Sequence, residues 1–380
     1  MTKNVLSDFY KKIPLSKEEY LRKIRNDFRV PAGLSGFQNA ILFGAENLGK
    51  KFIKSFRENG TKILAFSDND KEKWGKLVEG IPVIPPHSIE DQPYSFVVIT
   101  SKYVKEIDIQ LRRQKTRNIF PHYVLSVLFP KIFPDVFYPG CFAKIQRERS
   151  KVIKAYGMLS DAKSKKLYLQ LLDFMIDLSP KKIPEHSRAG QYFPDVLPLL
   201  KSKETYIDVG AYDGDTLQDF LFETGGHFNK YIALEPDRVN FKKLVKAIPH
   251  KYEKKILPLY AAASSKNGYV SIWHGIDNGI DSMISSEGHD KVRSVTIDSI
   301  CKKERITSIK MDIEGHEPFA LRGADKILKR DKPKLAICVY HQPEHLWSLL
   351  LQIKEINPEY SKFYLRHHER ERYGTVLYAK

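Results

Sequence analysis

The sequence predicts an α/β protein built as two successive parallel sheets, a smaller one followed by a larger one. Three observations carry that prediction. Short apolar runs that end in glycine or an acid alternate with helical patterns, first over residues 39–130 and again from residue 191 onward. At 380 residues the chain exceeds one ordinary domain, and 42% hydrophobic content supplies cores for two. Near the middle, Thr205-Tyr-Ile-Asp-Val-Gly-Ala-Tyr-Asp-Gly-Asp-Thr216 reads as a buried strand, a tight turn and the start of a helix. The expected organisation is a helical lead-in over 1–38, a Rossmann-like domain over 39–130, a helical connector over 131–190 and a larger domain over 191–380.

In the lead-in, Ser16-Lys-Glu-Glu19 has the pattern of a capping box ahead of Tyr20, Leu21 and Ile24. In the first α/β domain, Asn39–Gly44 is a strand, and Ala45–Asn59 is a helix with Leu48, Phe52, Ile53 and Phe56 on one face. Strands at Lys62–Asp68, Ile81–Ile84 and Ser95–Thr100 follow. The turn Gly44-Ala-Glu-Asn-Leu-Gly49 departs from the dinucleotide fingerprint, because Glu46 stands where a second glycine lets backbone approach a pyrophosphate. It also misses a phosphate-loop pattern, since Lys51 occupies the Ser/Thr position. Asp68 ends a strand where an acid can hold a ribose hydroxyl. A nucleotide site and a ligand-free scaffold or homodimer interface both stay open for this domain. Pro121, Pro130, Pro134 and Pro139 mark the boundary, and helices follow at Ala143–Tyr156 and Lys163–Leu178.

From Gln191 the chemistry concentrates. Gly210 and Gly214 free the backbone at the turn, while Asp208, Asp213 and Asp215 surround it with carboxylates. Asp213 and Asp215 are also candidate helix N-caps. A phosphate-binding turn relies on bare N–H groups and avoids such charge, whereas an acidic turn suits a cationic ligand with hydroxyls, as S-adenosylmethionine is. The strand Tyr231–Pro236 places Glu235 roughly 20 residues on, the spacing of a ribose-binding acid. Ala261 and Ala262, in the strand Leu257–Ala263, leave room for a flat adenine. Tyr269–Trp273 and Val292–Ile297 read as an inserted strand pair, with Gly275–Gly288 between them as a candidate substrate loop. Ser308–Glu317 ends a strand in acids and a histidine; Lys334–Tyr340, Lys362–His367 and Gly374–Tyr378 complete the sheet.

Asp208–Thr216, Glu235-Pro-Asp237 with Asn240 and Phe241, Ile309–Glu317 and Leu321-Arg-Gly-Ala324 resemble the FkbM family of S-adenosylmethionine-dependent methyltransferases, from about Gln191 to the C-terminus. The resemblance implies a class I methyltransferase seven-stranded sheet and O-methylation of a sugar, glycan or related metabolite, in polysaccharide biosynthesis or similar chemistry. It implies a cofactor site formed by Tyr192, Asp208, Gly210, Ala211, Tyr212, Asp213, Gly214, Asp215, Thr216, Glu235, Pro236, Asp237, Asn240, Ala261, Ala262 and Asp312. Phe193 joins Tyr192 beside the cofactor, with aromatic core as the alternative.

Methyl transfer from a sulfonium needs alignment and a base for the hydroxyl proton. Histidine titrates nearest neutrality, so His341 or His316 is expected as base, with Asp312 and Glu314 holding cofactor or substrate; His345 follows the same strand as His341. Glu317 alternatively complements a helix dipole. Asp312, Glu314 and His316 lack a recognised metal spacing, so a divalent cation is not favoured. The net charge of +17 suits a phosphate-bearing acceptor or a lysine-rich soluble surface. Its dispersion, and Asp312-Ile-Glu-Gly315 in place of an Asn/Asp-Pro-Pro loop, disfavour RNA methylation; a catalytically silent scaffold is the other alternative. Cys141, Cys301 and Cys338 form no disulfide or zinc pattern, and no apolar run is long enough to span a membrane, so a cytoplasmic protein without stable membrane insertion is expected.

Overall fold

The computed structural model describes residues 2–31, 38–133, 135, 137–273, 283–284, 288 and 290–380. It divides into two units: one comprises Met1–Glu148, Leu169–Glu185 and Arg370–Arg372, the other Arg149–Tyr168, His186–Glu369 and Tyr373–Lys380. Segments expected as lead-in and connector thus belong to the units themselves. Among the described residues no helix is long and apolar enough to cross a membrane, and the three cysteines are buried and form no disulfide.

The first unit begins with α1 (Thr2–Lys12) and α2 (Lys17–Phe28). Ser16 caps α2 by accepting the Glu19 N–H at 3.1 Å, and Glu19 reaches back to the Leu15 N–H at 2.9 Å. Then come β1 (Asn39–Phe43), α3 (Asn47–Glu58), β2 (Lys62–Ser67), β3 (Leu77–Val78), β4 (Ile81–Ile84), β5 (Phe96–Ile99), α4 (Val104–Arg113), β6 (Ile119–Pro121), α5 (His122–Leu128) and α6 (Tyr138–Arg147). The sheet order is β3-β4-β2-β1-β5-β6, parallel except for the β3–β4 pair. Beyond Asn39, strand β1 is apolar and buried because both of its faces are covered, and α3 buries Phe52, Ile53 and Phe56 against the sheet.

Asp68, which ends its strand where an acid can hold a ribose hydroxyl, folds its own turn. It accepts the Ala45 N–H at 3.0 Å and the Asp70 N–H at 2.9 Å, and Lys73 lies 3.3 Å from it and 2.7 Å from Glu46.

The second unit contains α7 (Arg149–Met158) and the first part of α8 (Ala162–Asp177); the helix expected over Ala143–Tyr156 is in fact α6 and α7, broken at Glu148. Its remaining elements are β7 (Thr205–Val209), α9 (Asp215–Thr224), β8 (Lys230–Leu234), α10 (Arg238–Ala247), β9 (Ile256–Leu259), β10 (Ala262–Ala263), β11 (Gly268–Trp273), β12 (Met283–Ile284), β13 (Asp290–Val295), α11 (Ile297–Ile300), β14 (Ser308–Met311), α12 (Glu317–Arg322), α13 (Asp325–Arg330), β15 (Lys334–Cys338), α14 (His345–Ile356), β16 (Phe363–His367) and β17 (Thr375–Ala379). The main sheet runs β16-β17-β15-β14-β7-β8-β9, parallel except for β17, which is antiparallel to both its neighbours. This is the class I methyltransferase sheet. Strand order reverses between β7 and β14, which opens a crevice at their carboxyl ends.

The expected strand Leu257–Ala263 is split. Its second half, β10, leaves the main sheet and joins β13, β11 and β12 in a separate four-stranded sheet. Most of Gly275–Gly288, the candidate substrate loop, lies outside the described residues. One face of the main sheet packs Tyr206, Leu217, Phe220, Tyr231 and Leu244, with the Tyr206 and Tyr231 rings stacked at 5.5 Å.

At the other end of the sheet, fully buried Glu204 accepts hydroxyl hydrogens from Thr307 and Ser308, each at 2.5 Å, and lies 3.4 Å from Lys334. It therefore staples the entry of β7 to those of β14 and β15. Glu204→Ala strands these donors and is expected to lower unfolding stability by about 2–3 kcal/mol. Urea denaturation measures this; a loss below about 0.5 kcal/mol contradicts the staple.

Candidate active site

A cavity of about 330 Å³ opens at the carboxyl ends of β7, β8 and β14, within the second unit. Its floor is the glycine turn. Gly210 has φ +81°, and a Cβ there would meet the Asp312 carbonyl oxygen at 2.0 Å. Only glycine lets the two strand ends approach this closely. The Gly210 and Ala211 N–H groups both donate to the Leu234 carbonyl, at 2.9 and 3.0 Å, which ties the turn to β8.

Glu235 follows β8 and faces the cavity. It accepts the Tyr212 N–H and the Asp237 N–H, each at 2.8 Å. Burial pushes its carboxyl up to about 7, against the pull of those two donors. Asp237 itself caps α10 through the Val239 and Asn240 N–H groups. The wall is Ala261, Ala262 and Ala263, small side chains that leave a flat surface, and Asp215, Thr216 and Asn240 add polar groups.

The far side is more strongly charged. Asp312 accepts the Tyr192 hydroxyl at 2.8 Å and the Tyr340 hydroxyl at 2.9 Å. His341 Nε2 lies 3.3 Å from Asp312 and 3.5 Å from Glu314, while Nδ1 lies 2.9 Å from Glu317. Glu317 is fully buried, also accepts the Ile313 N–H at 3.0 Å, and lies 3.4 Å from His345. These His341 contacts are at ion-pair distance but poorly aligned as hydrogen bonds. Burial alone lowers the His341 pKa, but Glu317, Asp312 and Glu314 outweigh it and hold the ring well above its ordinary value. Burial raises Asp312, yet His341 and Lys310 pull it well below the usual carboxylate range.

Of the residues expected around the cofactor, Tyr192, Gly210, Tyr212, Asp215, Thr216, Glu235, Pro236, Asn240, Ala261, Ala262 and Asp312 line the cavity, and Glu314 joins them. Ala211, Asp213, Gly214 and Asp237 do not. Gly214, at φ +95°, holds the N-cap position of α9 in place of Asp213 or Asp215. Phe193 packs on Tyr206 and Phe220 in the core. His316 is diverted to Ser264, 3.1 Å away, and stacks on Phe319, because positive φ at Glu314 and Gly315 turns the chain before it. His341 sits behind Asp312 and Glu314 and does not itself line the cavity.

Asp208 is the largest departure. It is wholly buried, pairs with Lys310 at 2.9 Å and accepts the Tyr231 hydroxyl at 2.6 Å. Lys310 also donates to the Gly210 carbonyl and lies 5.0 Å from the Tyr192 ring centre. Burial lowers the Lys310 pKa, but Asp208, Asp312 and Asp215 more than restore it. Lys310, Tyr340 and Glu369 line the cavity without having been singled out in the sequence. A lysine inside the otherwise apolar strand Ser308-Ile-Lys-Met311 was the available signal.

Asp312, Glu317 and His341 also bring ligand-type atoms within 4.8 Å of one another. Asp312 and Glu317 already accept hydrogen bonds from Tyr192, Tyr340 and Ile313, and His341 lies between the two carboxylates. The group is therefore an internally paired ion cluster.

Lys310→Met leaves Asp208 buried without its counter-ion and is expected to cost about 3–5 kcal/mol of stability. Adding Asp208→Asn should recover a substantial part. Chemical denaturation of both variants tests this; a single-variant loss under about 1 kcal/mol contradicts the pairing.

Comparisons with known proteins agree with this architecture. Residues 208–364 match the model of the methyltransferase FkbM domain, and residues 36–118 match that of a C2185-like N-terminal domain. The structure of methyltransferase FkbM from Methylobacillus flagellatus KT superposes with TM-score 0.74 at 23% identity, covering 97% of this chain and 100% of that one. More partial overlays include UDP-D-quinovosamine 4-dehydrogenase from Vibrio fischeri (21% identity, 22% of this chain, 76% of that one, TM-score 0.19). Another is fibrillarin from Aeropyrum pernix (11% identity, 48% of this chain, 69% of that one, TM-score 0.29). No curated protein matches the sequence. The family match spans the glycine turn, Glu235 and the Asp312–Glu317 segment, so residues 208–364 of this chain are similar to a methyltransferase FkbM domain.

Proposed function

We propose that the protein transfers the methyl group of S-adenosylmethionine to a hydroxyl of a sugar, glycan or related metabolite. One observation carries the reading: the cavity combines a ribose-type acid, a flat alanine wall and a glycine floor with a rim of carboxylates. The cradle at Gly210 has no room for a side chain, and Asp215, Glu235, Asp312, Glu314 and Glu369 line the space around it. That donor set fits a ligand with hydroxyls at one end and positive charge at the other. Glu235 would accept the ribose hydroxyls, the alanines would face the adenine, and Asp312, braced by Tyr192 and Tyr340, would hold the cationic end. When bound, the cofactor supplies an activated methyl on a sulfonium. The chain's part is to orient the acceptor and take its proton.

In this reading His341 is the base and takes the acceptor's proton through Asp312 or Glu314, which line the cavity in front of it. Nε2 is turned to the two carboxylates that line the cavity, and Nδ1 to Glu317. Glu317 positions the ring and favours its charged form. A cationic ligand beside Asp312 opposes that charge and so helps the ring to release its proton before turnover. The anionic rim supports a small hydroxylated acceptor over a polyphosphate chain reaching into the cavity.

The direct test is calorimetric titration with S-adenosylmethionine, followed by an acceptor screen on glycans and sugar derivatives. Glu235 is half protonated near pH 7, and only its ionised form accepts ribose hydroxyls. Affinity should therefore weaken by up to about tenfold per unit as pH falls below about 7. Glu235→Gln should bind weakly with a flatter profile; an unchanged profile contradicts the assignment.

His341→Gln should keep cofactor binding and lower kcat by about 10²–10⁴. An imidazolium is no base, so wild-type kcat should climb with pH through the raised pKa of His341. In Glu317→Gln that limb should move to lower pH, because the carboxylate that raises the pKa is gone. Full activity in His341→Gln would remove it from the mechanism.

A further inference from the structure

The first unit carries a second cavity, of about 720 Å³, at the opposite end of its sheet from the Gly44 turn. It lies where α2 ends, where α4 leads into β6, and beside the segment that follows α8. Its walls are polar and its charges are unevenly matched. Lys23 pairs with Asp27 at 2.6 Å and with Asp177 at 3.0 Å, and Arg112 pairs with Asp108 at 2.8 Å. Among the described residues the side chains of Arg29, Arg117 and Lys181 have no such partner, and all three line the cavity. Two residues of its lining also carry buried polar atoms. Asp108 is 1% exposed and Thr116 is 8% exposed, and neither Asp108 Oδ1 nor Thr116 Oγ1 has a hydrogen-bond partner among the described residues.

An unsatisfied carboxylate oxygen in a buried position is costly and calls for a donor. Three unpaired cations on the same cavity call for an anion, and two of them are arginines, whose planar fork suits phosphate. The cavity is large enough for a small organic ligand. We propose that this is a binding site for a phosphorylated polyol of the sugar-phosphate class. Its phosphate meets Arg29, Arg117 and Lys181, and its hydroxyls donate to Asp108 and exchange hydrogen bonds with Thr116. The site is separate from the cavity at Gly210, so the proposal holds independently of the methyl-transfer reading.

The test is titration of the full-length protein at low salt with a panel of hexose 1-phosphates, with inorganic phosphate and unphosphorylated hexose as controls. Saturable binding of a sugar phosphate, at least about tenfold tighter than either control, is expected. Arg117→Ala and Lys181→Ala are exposed changes that leave the core intact. Each should weaken binding roughly three- to tenfold, and the pair should abolish it. Asp108→Asn should narrow the preference for sugar phosphate over inorganic phosphate.

Three results would overturn the proposal. The first is absence of binding by every hexose phosphate tested. The second is affinity no better than inorganic phosphate, which marks a general anion patch. The third is binding that survives the Arg117/Lys181 double variant but is lost in Glu235→Gln, which locates the ligand at the Gly210 cavity.

Discussion

The second unit depends on one buried ion pair. Lys310 and Asp208 are direct neighbours across β14 and β7, at the point where the sheet reverses strand order. Asp208 also holds Tyr231 of β8, and Lys310 holds the carbonyl of Gly210. Three central strands and the turn that floors the cavity are thereby fixed to one another beneath the site. Such a pair is weak evidence of net stability, because desolvating both charges offsets most of their attraction. Its value lies in register. A one-residue slip of β14 would bring a methionine or an isoleucine opposite Asp208 and leave both charges buried without partners.

The same pair sets the electrostatics above it. His341 and, after it, Lys310 hold the partly buried Asp312 carboxyl well below the usual carboxylate range. Glu235 has no comparable neighbour, and two N–H donors do not offset its burial. Two acids in one cavity therefore titrate in different ranges, for reasons visible in their partners.

The elements that the sequence displays are those in which local chemistry decides structure. The strands around the glycine turn, the acid after β8, the inserted strand pair and the closing hairpin follow from apolar runs, glycines and alternation. The cavity lining from Tyr212 to Ala262 was legible for the same reason. The departures all involve a partner distant in sequence or a backbone turn that spacing does not reveal. Asp208 looked like part of an acidic rim until Lys310, 102 residues later, took its charge. His316 and His341 had equal standing as bases; the chain turns at Glu314 and Gly315, which have positive φ, so His316 meets Ser264 while His341 lies against Glu317. The pairing of β14 with β7 is what shows that the head of Lys310 is interior. In the first unit, Asp68 ends a strand as a ribose acid does, and Lys73 and the Ala45 N–H are its partners there.

The rim of carboxylates around the Gly210 cavity also bears on how a catalytic cycle ends. A site walled by Asp215, Glu235, Asp312, Glu314 and Glu369 holds a positively charged ligand more firmly than a neutral one of the same shape. Loss of a methyl group from a sulfonium leaves a neutral thioether. The groups that attract the reactant thus lose their grip at the moment of reaction. Under the proposed reaction, that loss of charge would favour departure of the product.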